Sequence, residues 1–163
     1  MQRIGLGYDV HAFAPDRPLI LGGVHIPYEQ GLLGHSDADV VAHALMDAVL
    51  GALRAGDIGK LFPDTDSRFL GADSLKLLEQ VAELMRAQGY TFVDGDIVVA
   101  AEAPKLSPHR EAMRSNLARC LGVPMESLGL KATTTEGLGF VGRKEGIACM
   151  ATVLLEQSSE LHS

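Results

Sequence analysis

The chain has 163 residues, 47% of them apolar, enough for one domain to bury a sizeable core without disulfides. Its formal net charge is −7, from 14 basic and 21 acidic residues, which argues against a nucleic-acid or anionic-membrane surface. Cys120 and Cys149 lack a CxxC spacing and are expected as buried reduced thiols, and no apolar run reaches membrane-span length.

Met1-Gln2-Arg3-Ile4-Gly5 leads straight into an ordered-looking segment with no targeting signature, so a cytoplasmic protein is expected. Residues 2–13 predict a strand, and Leu19–Leu21 with Val24–Tyr28 a hairpin about Gly22-Gly23. From Asp39 to Arg54, Val41, Ala44, Leu45, Ala48, Val49, Ala52 and Leu53 recur at helical spacing, with Ser36 or Asp37 as the expected cap. A second amphipathic helix is predicted over Ser74 to Gln88, stopped by Gly89. Ile97–Ala101 predicts a strand, Pro108 to Leu121 a third helix ending at Gly122, and Leu128–Thr133 and Ile147–Leu155 two further strands. Residues 157–163 read as a polar tail to one catalytic domain spanning 1–163.

Three helices among about four main strands predict an α/β chain of the two-layer α+β type, a mixed sheet with helices on one face. The run Ile147 to Leu155 is apolar on both alternating faces and needs cover on both sides. A subunit interface is the expected cover for the second face.

Four constellations can carry chemistry. Asp9 and His11 stand two apart on a strand and therefore share a face. His43 lies mid-helix, one turn after Asp39 and one before Asp47, on a polar stripe of an otherwise apolar helix. Two His and one carboxylate with a fourth position open is the pattern of a catalytic zinc site, with Asp39 or Asp47 expected to orient the His43 ring. The alternative is a hydrogen-bonded or solvated histidine beside acids. The segment Gly34-His35-Ser36-Asp37-Ala38-Asp39 opens the helix, where free N–H groups and Ser36 can hold a phosphate oxygen; the alternative is a capped helix with solvated acids.

The third constellation, Lys131-Ala132-Thr133-Thr134-Thr135-Glu136-Gly137-Leu138-Gly139-Phe140, runs from a strand into a hydroxyl- and glycine-rich loop. Its hydroxyls and amides suit phosphate oxygens, and Glu136 suits a hard cation such as Mg²⁺; the alternative is a plain turn. Gly142-Arg143 follows closely. The fourth, Ala101-Glu102-Ala103-Pro104-Lys105-Leu106-Ser107-Pro108, is a strand-to-helix connection whose backbone can read a base edge, or simply a Pro-bounded loop.

In this order, Gly7-Tyr8-Asp9-Val10-His11, His35-Ser36-Asp37-Ala38-Asp39-Val40 with His43, Gly56 to Asp66, Ala103-Pro104-Lys105 and Lys131 to Glu136 resemble the 2-C-methyl-D-erythritol 2,4-cyclodiphosphate synthase family. The resemblance covers all but the last few residues. It implies conversion of 4-diphosphocytidyl-2-C-methyl-D-erythritol 2-phosphate to the cyclic diphosphate with release of CMP, in the non-mevalonate isoprenoid pathway. It further implies a homotrimer whose active sites form between adjacent subunits. By the same resemblance Asp9, His11 and His43 hold Zn²⁺, Glu136 holds Mg²⁺ or Mn²⁺ on the substrate diphosphate, and His35 and Thr134 stabilise the transition state. His35, Ser36, Asp57, Ile58, Gly59, Phe62, Pro63, Asp64, Thr65 and Asp66 match the segments that hold the methylerythritol phosphate. Ala101, Ala103, Pro104, Lys105, Leu106 and Ser107 match the cytosine loop, and Thr133, Thr134, Thr135 and Glu136 the CDP phosphates. Phe140 and Arg143 match the rim of a central trimer cavity that holds isoprenoid diphosphates in some relatives. Ala38, Leu106-Ser107, Gly137 and Lys144 depart from the family pattern and touch no implied metal ligand.

Overall fold

Alternation along the first strand sets the whole architecture. In β1 (Gln2–Ala14) the even residues Ile4, Leu6 and Tyr8 point to one face, while Gly5, Gly7, Asp9 and His11 point to the other. The computed structural model describes residues 1–159. After β1 come the hairpin β2 (Leu19–Leu21) and β3 (Val24–Ile26), then β4 (Gly31–Leu32), α1 (Val40–Leu53), α2 (Ile58–Leu61) and α3 (Ser74–Ala87). Next follow β5 (Tyr90–Ala100), α4 (Arg110–Leu121), β6 (Leu128–Thr133), α5 (Gly139–Gly142) and β7 (Gly146–Gln157).

The main sheet has five strands in the order β4-β1-β7-β5-β6. Its long central pairs, β1 with β7 and β7 with β5, are antiparallel, whereas β5 and β6 run parallel, joined by a crossover through α4. The four predicted main strands are present, with the two-residue β4 added beside β1. β3 stops at Ile26 rather than Tyr28, because Pro27 has no N–H to give the ladder. β5 begins at Tyr90, seven residues earlier than the apolar run predicts, since Asp94, Gly95 and Asp96 continue the ladder past a bulge at Phe92/Asp94. Gln157 belongs to β7 rather than to a tail: its N–H donates to Met1 O at 2.9 Å. Residues 160–163 of the expected tail lie outside the described residues.

α1 lies directly on β1 and β7. Nearly every side chain of this helix is buried, from Val40 through Leu53. Each large one contributes about 1.5–3 kcal/mol relative to exposure. The close seat depends on Gly5 and Gly7: a methyl group at either would run into the helix carbonyl of Ala48 or Ala44. α3 and α4 complete the helical layer, so the helices share one face of the sheet as expected. The opposite face of β1 and β7 carries Ile4, Leu6, Tyr8 and Met150, exposed by 74, 67, 55 and 47%. Cross-strand register sets Ile4 against Leu154, Leu6 against Thr152 and Tyr8 against Met150, which makes this a largely apolar surface.

The expected cap of α1 is corrected. Neither Ser36 nor Asp37 serves; Asp39 does, accepting from Val41 N (3.2 Å) and Ala42 N (3.1 Å). Its carboxylate also accepts from Gly22 N (2.8 Å) and Gly23 N (2.7 Å), tying the helix start to the β2–β3 turn. Asp39 is fully buried; burial pushes its carboxyl up to about 6, against the pull of the Ala42, Gly23 and Gly22 amides. The helix start is therefore a capped terminus, as the alternative reading had it, but its acid is buried rather than solvated. Both cysteines are free and buried, and burial pushes the Cys120 thiol up to about 11 and Cys149 further upward.

Candidate active site

The seat of α1 on β1 brings His43 over Asp9 and His11. His11 Nε2 lies 2.8 Å from Asp9 Oδ2, and His43 Nδ1 lies 3.3 Å from each of those two atoms. Three ligand-type atoms thus face one point. The far side of the His11 ring is held by the Leu33 carbonyl, 2.8 Å from Nδ1. A carbonyl only accepts, so Nδ1 carries a proton. Both His11 nitrogens then face acceptors, and the ring satisfies both only as an imidazolium or with a cation in place of the Nε2 proton. Burial disfavours that positive charge, but the hydrogen bond and charge of Asp9 outweigh it and hold the His11 pKa above its ordinary value. Burial likewise pushes Asp9 up, and the hydrogen bonds from His11 and His43 overturn this, bringing it down to about 2. Two imidazoles and a carboxylate converging at one point are a donor set that fits a divalent cation.

The expectation that Asp39 or Asp47 orients His43 is corrected. Asp39 is taken by the helix cap, and Asp47 Oδ1 accepts from Ile58 N at 2.8 Å, fixing the start of α2. His43 Nε2 instead lies between two hydroxyls, Ser36 Oγ at 3.1 Å and Ser74 Oγ at 3.0 Å. Helical spacing favours near neighbours, whereas these two side chains come from the preceding loop and from the start of α3.

The triad opens into a cleft of about 360 Å³. Of the predicted site residues, His35, Ser36, Ile58, Gly59, Phe62 and Asp64 line it with the triad. Asp57 caps α2 by accepting from Lys60 N at 3.0 Å, and Pro63 and Thr65 complete the connection to the 67–69 turn without lining the cleft. Asp66 caps that turn and pairs with Arg68, while its carbonyl accepts from His35 Nε2 at 3.0 Å. Met46, Phe69 and Leu77 line the cleft as well and were not among the predicted site residues.

A second, separate cavity of about 290 Å³ gathers Ala101, Pro104, Lys105, Leu106 and Ser107 beside Thr133 and Thr134. Ala103 lies in the same connection, and Thr135 and Glu136 follow on the adjoining loop. Glu102, not singled out in the sequence, holds that loop: its Oε1 accepts from Thr135 N (3.0 Å) and Gly137 N (3.1 Å). Those two amides, Gly137 first, keep the Glu102 carboxyl below the usual range. Glu136 is exposed in a left-handed conformation, φ 55°. Phe140 and Arg143 lie on or just after α5, Arg143 paired with Glu145 at 2.7 Å, and neither lines either cavity. The two cavities sit at one end of the sheet but not together: Asp9 pairs with Cys149, Cys149 with Val99, and Val99 with Ala132. Three strand spacings of about 4.8 Å put ~14 Å between Asp9 and Ala132 along that row.

Relatives match this chain over almost its whole length. The protein named 2-C-methyl-D-erythritol 2,4-cyclodiphosphate synthase in Trichlorobacter lovleyi is 60% identical over 153 residues, covering 94% of this chain and 98% of that protein. The one so named in a Nostoc species is 60% identical over 159 residues, 98% of this chain and 96% of that protein. Among solved structures, the bifunctional IspDF of Campylobacter jejuni superposes with a TM-score of 0.93 at 48% identity. That match covers 96% of this chain but only 42% of the bifunctional one. IspF of Plasmodium falciparum, solved as a CDP complex, gives a TM-score of 0.85 at 35% identity, with 97% of both chains covered. The YgbB family model matches residues 2–156, and the chain belongs to the YgbB family.

Proposed function

We propose that this chain converts 4-diphosphocytidyl-2-C-methyl-D-erythritol 2-phosphate into 2-C-methyl-D-erythritol 2,4-cyclodiphosphate and CMP, as a cytoplasmic enzyme of isoprenoid precursor synthesis. The observation that carries this reading is the convergence of Asp9, His11 and His43 at the rim of the cleft, in a chain so similar to named synthases. An oxygen of the 2-phosphate forms a bond to the β-phosphorus, and the bond from that phosphorus to the α,β-bridging oxygen breaks. CMP leaves with the bridging oxygen and its electron pair.

A phosphate monoester is anionic near neutral pH, so the chain has to supply position and charge neutralisation rather than a strong base. Zn²⁺ held by Asp9, His11 and His43, with Mg²⁺ or Mn²⁺ held by Glu136, supplies that neutralisation on the diphosphate when bound. Ile58, Gly59, Phe62 and Asp64 wall the methylerythritol phosphate, with Asp57, Pro63, Thr65 and Asp66 shaping the segments that carry them and Ser36 donating its hydroxyl. Residues 101 and 103–107 hold cytosine, and Thr133, Thr134, Thr135 and Glu136 hold the phosphates. Thr134 and His35 donate hydrogen bonds as charge redistributes, worth roughly 2–4 kcal/mol per well-placed donor. His35 Nε2 is engaged with the Asp66 carbonyl, so Nδ1 is the ring nitrogen left to face the substrate.

The same reading makes the protein a homotrimer with active sites between copies. Two observations support it: the open apolar face of β1 and β7, and the separation of the triad from the nucleotide cavity within one chain. A neighbouring copy brings its nucleotide cavity to this chain's triad. Phe140 and Arg143 then border a central cavity suited to an isoprenoid diphosphate, with the exposed Arg143 guanidinium for its phosphates. Phosphorus NMR on the cytidylated substrate tests the reaction. Two coupled signals of a cyclic diphosphate together with CMP, lost on chelation, are expected; a linear phosphate product would replace cyclisation by hydrolysis.

A further inference from the structure

We propose that Ser74 and Asp37 are positioning residues that fix which ring nitrogen of His43 carries the proton, and so present Nδ1 to the metal position. This rests on the reading of Asp9, His11 and His43 as metal ligands. It starts from Asp37, whose two carboxylate oxygens are both occupied as acceptors. Oδ1 takes Asp39 N–H at 3.1 Å, and Oδ2 takes Ser74 N–H at 3.0 Å. Oδ1 also receives the Ser74 hydroxyl. A carboxylate only accepts, so Asp37 offers Ser74 no proton and takes the hydroxyl proton instead. The Ser74 proton is therefore committed to Asp37, and only lone pairs remain on Ser74 Oγ for the histidine 3.0 Å away.

His43 Nε2 must then be the donor. Its second neighbour, Ser36 Oγ at 3.1 Å, also accepts from Ala38 N at 3.2 Å and can share the same ring proton. With Nε2 protonated, the lone pair of the neutral ring lies on Nδ1, the atom 3.3 Å from Asp9 Oδ2. The opposite tautomer would put a proton where the cation belongs. His11 is set in the same sense by the Leu33 carbonyl, and the two rings are oriented 65° apart with centroids at 5.2 Å. Neither Ser74 nor Asp37 lines the cleft, and Ser74 is fully buried, so both act through His43 and not on substrate. With Ser36 Oγ accepting from the ring and from Ala38 N, the relay leaves its own hydroxyl proton available to the cleft that Ser36 lines.

The bland alternative is that Ser74 merely ties α3 to the Asp37 loop. Ring ¹⁵N NMR of the metal-stripped full chain at about pH 9, where histidine is neutral, separates the two. His43 protonated at Nε2 in the wild type is expected; protonation at Nδ1 overturns the proposal. Competitive chelation then reads zinc affinity. Ser74→Ala should weaken it by roughly 10- to 100-fold, in the range seen when a ligand's hydrogen-bond partner is lost. Ser74→Thr, which retains the hydroxyl, should restore it to within about threefold, and kcat/KM of Ser74→Ala should recover as free zinc is raised. Wild-type zinc affinity in Ser74→Ala, or an equal loss in Ser74→Thr, overturns the relay. If Ser74→Ala does not fold, the wild-type ring spectrum and Ser74→Thr still decide. A wild-type chain that takes up no zinc would sink the ligand assignment itself, while the ring spectrum is read without metal.

Discussion

The two halves of the candidate site are built in opposite ways. The triad half is assembled from β1 and α1 under the helical layer, both histidines braced by a second hydrogen bond and the whole held in a cleft. The nucleotide half is a shallow cavity on a strand end and two loops, with Thr133, Thr134 and Glu136 exposed. The three donors of the first half all come from one chain, whereas the second half lies open on one side. On the proposed function, the demanding task of setting three donors around a cation would fall to the half braced by the helical layer, and nucleotide recognition to the open half that another copy could reach.

Breaking the first half should cost most. His43→Ala is expected to lose bound zinc and to lower CMP release by about three orders of magnitude or more, with metal content and turnover read on the same preparation. Full metal content with normal turnover would refute the ligand assignment. The next largest effect should come from the open sheet face. Leu6→Asp sets a charge in the middle of the apolar surface, where burying it unpaired costs several kcal/mol. Light scattering should then report a monomer, with CMP release lowered about 100-fold and zinc still bound. A variant that stays assembled, or a monomer that turns over normally, contradicts the shared site.

Glu136→Gln probes the exposed half alone. Its Mg²⁺ requirement should rise about tenfold with zinc content unchanged, since a neutral amide binds a hard cation weakly. An unaltered Mg²⁺ titration would remove Glu136 from the phosphate site. The smallest effect is a matter of pH. His11 has a raised pKa, so protons compete with the metal from above its ordinary 6.5 downward. Zinc affinity should fall by about tenfold per pH unit per proton below the raised value. In the metal-free chain the stability signs run separately. The raised His11 adds stability fully present below 6.5 and lost as pH rises through its folded pKa, while Asp9, lowered from 3.8 to about 2, adds stability lost as pH falls through about 2. Zinc affinity flat across pH 5 to 8 would contradict proton competition at His11.

Much of this was legible in residue order. The helical recurrence from Val41 to Leu53 marks α1, and the i, i+2 spacing of Asp9 and His11 sets both on one face of β1. What the spacing could not show was contact between distant segments. Asp39 looks like a partner of His43 along the helix, yet its carboxylate is drawn to the Gly22-Gly23 turn, and the partner at Nε2 is Ser74, thirty-one residues on. The early part of β5 stays hidden because Asp94 and Asp96 face the open side of the sheet, where burial imposes no apolar pattern. Glu102 is invisible for a related reason: its partners are amides of a loop thirty-three residues later.

The triad joins two elements that the chain keeps far apart, residues 9 and 11 on β1 and residue 43 on α1. A cation held there would be a removable cross-link, closing the loop between strand and helix much as a covalent staple does. The folded chain would then gain stability with the logarithm of free metal concentration, and metal scarcity would tell on its lifetime as well as on its rate.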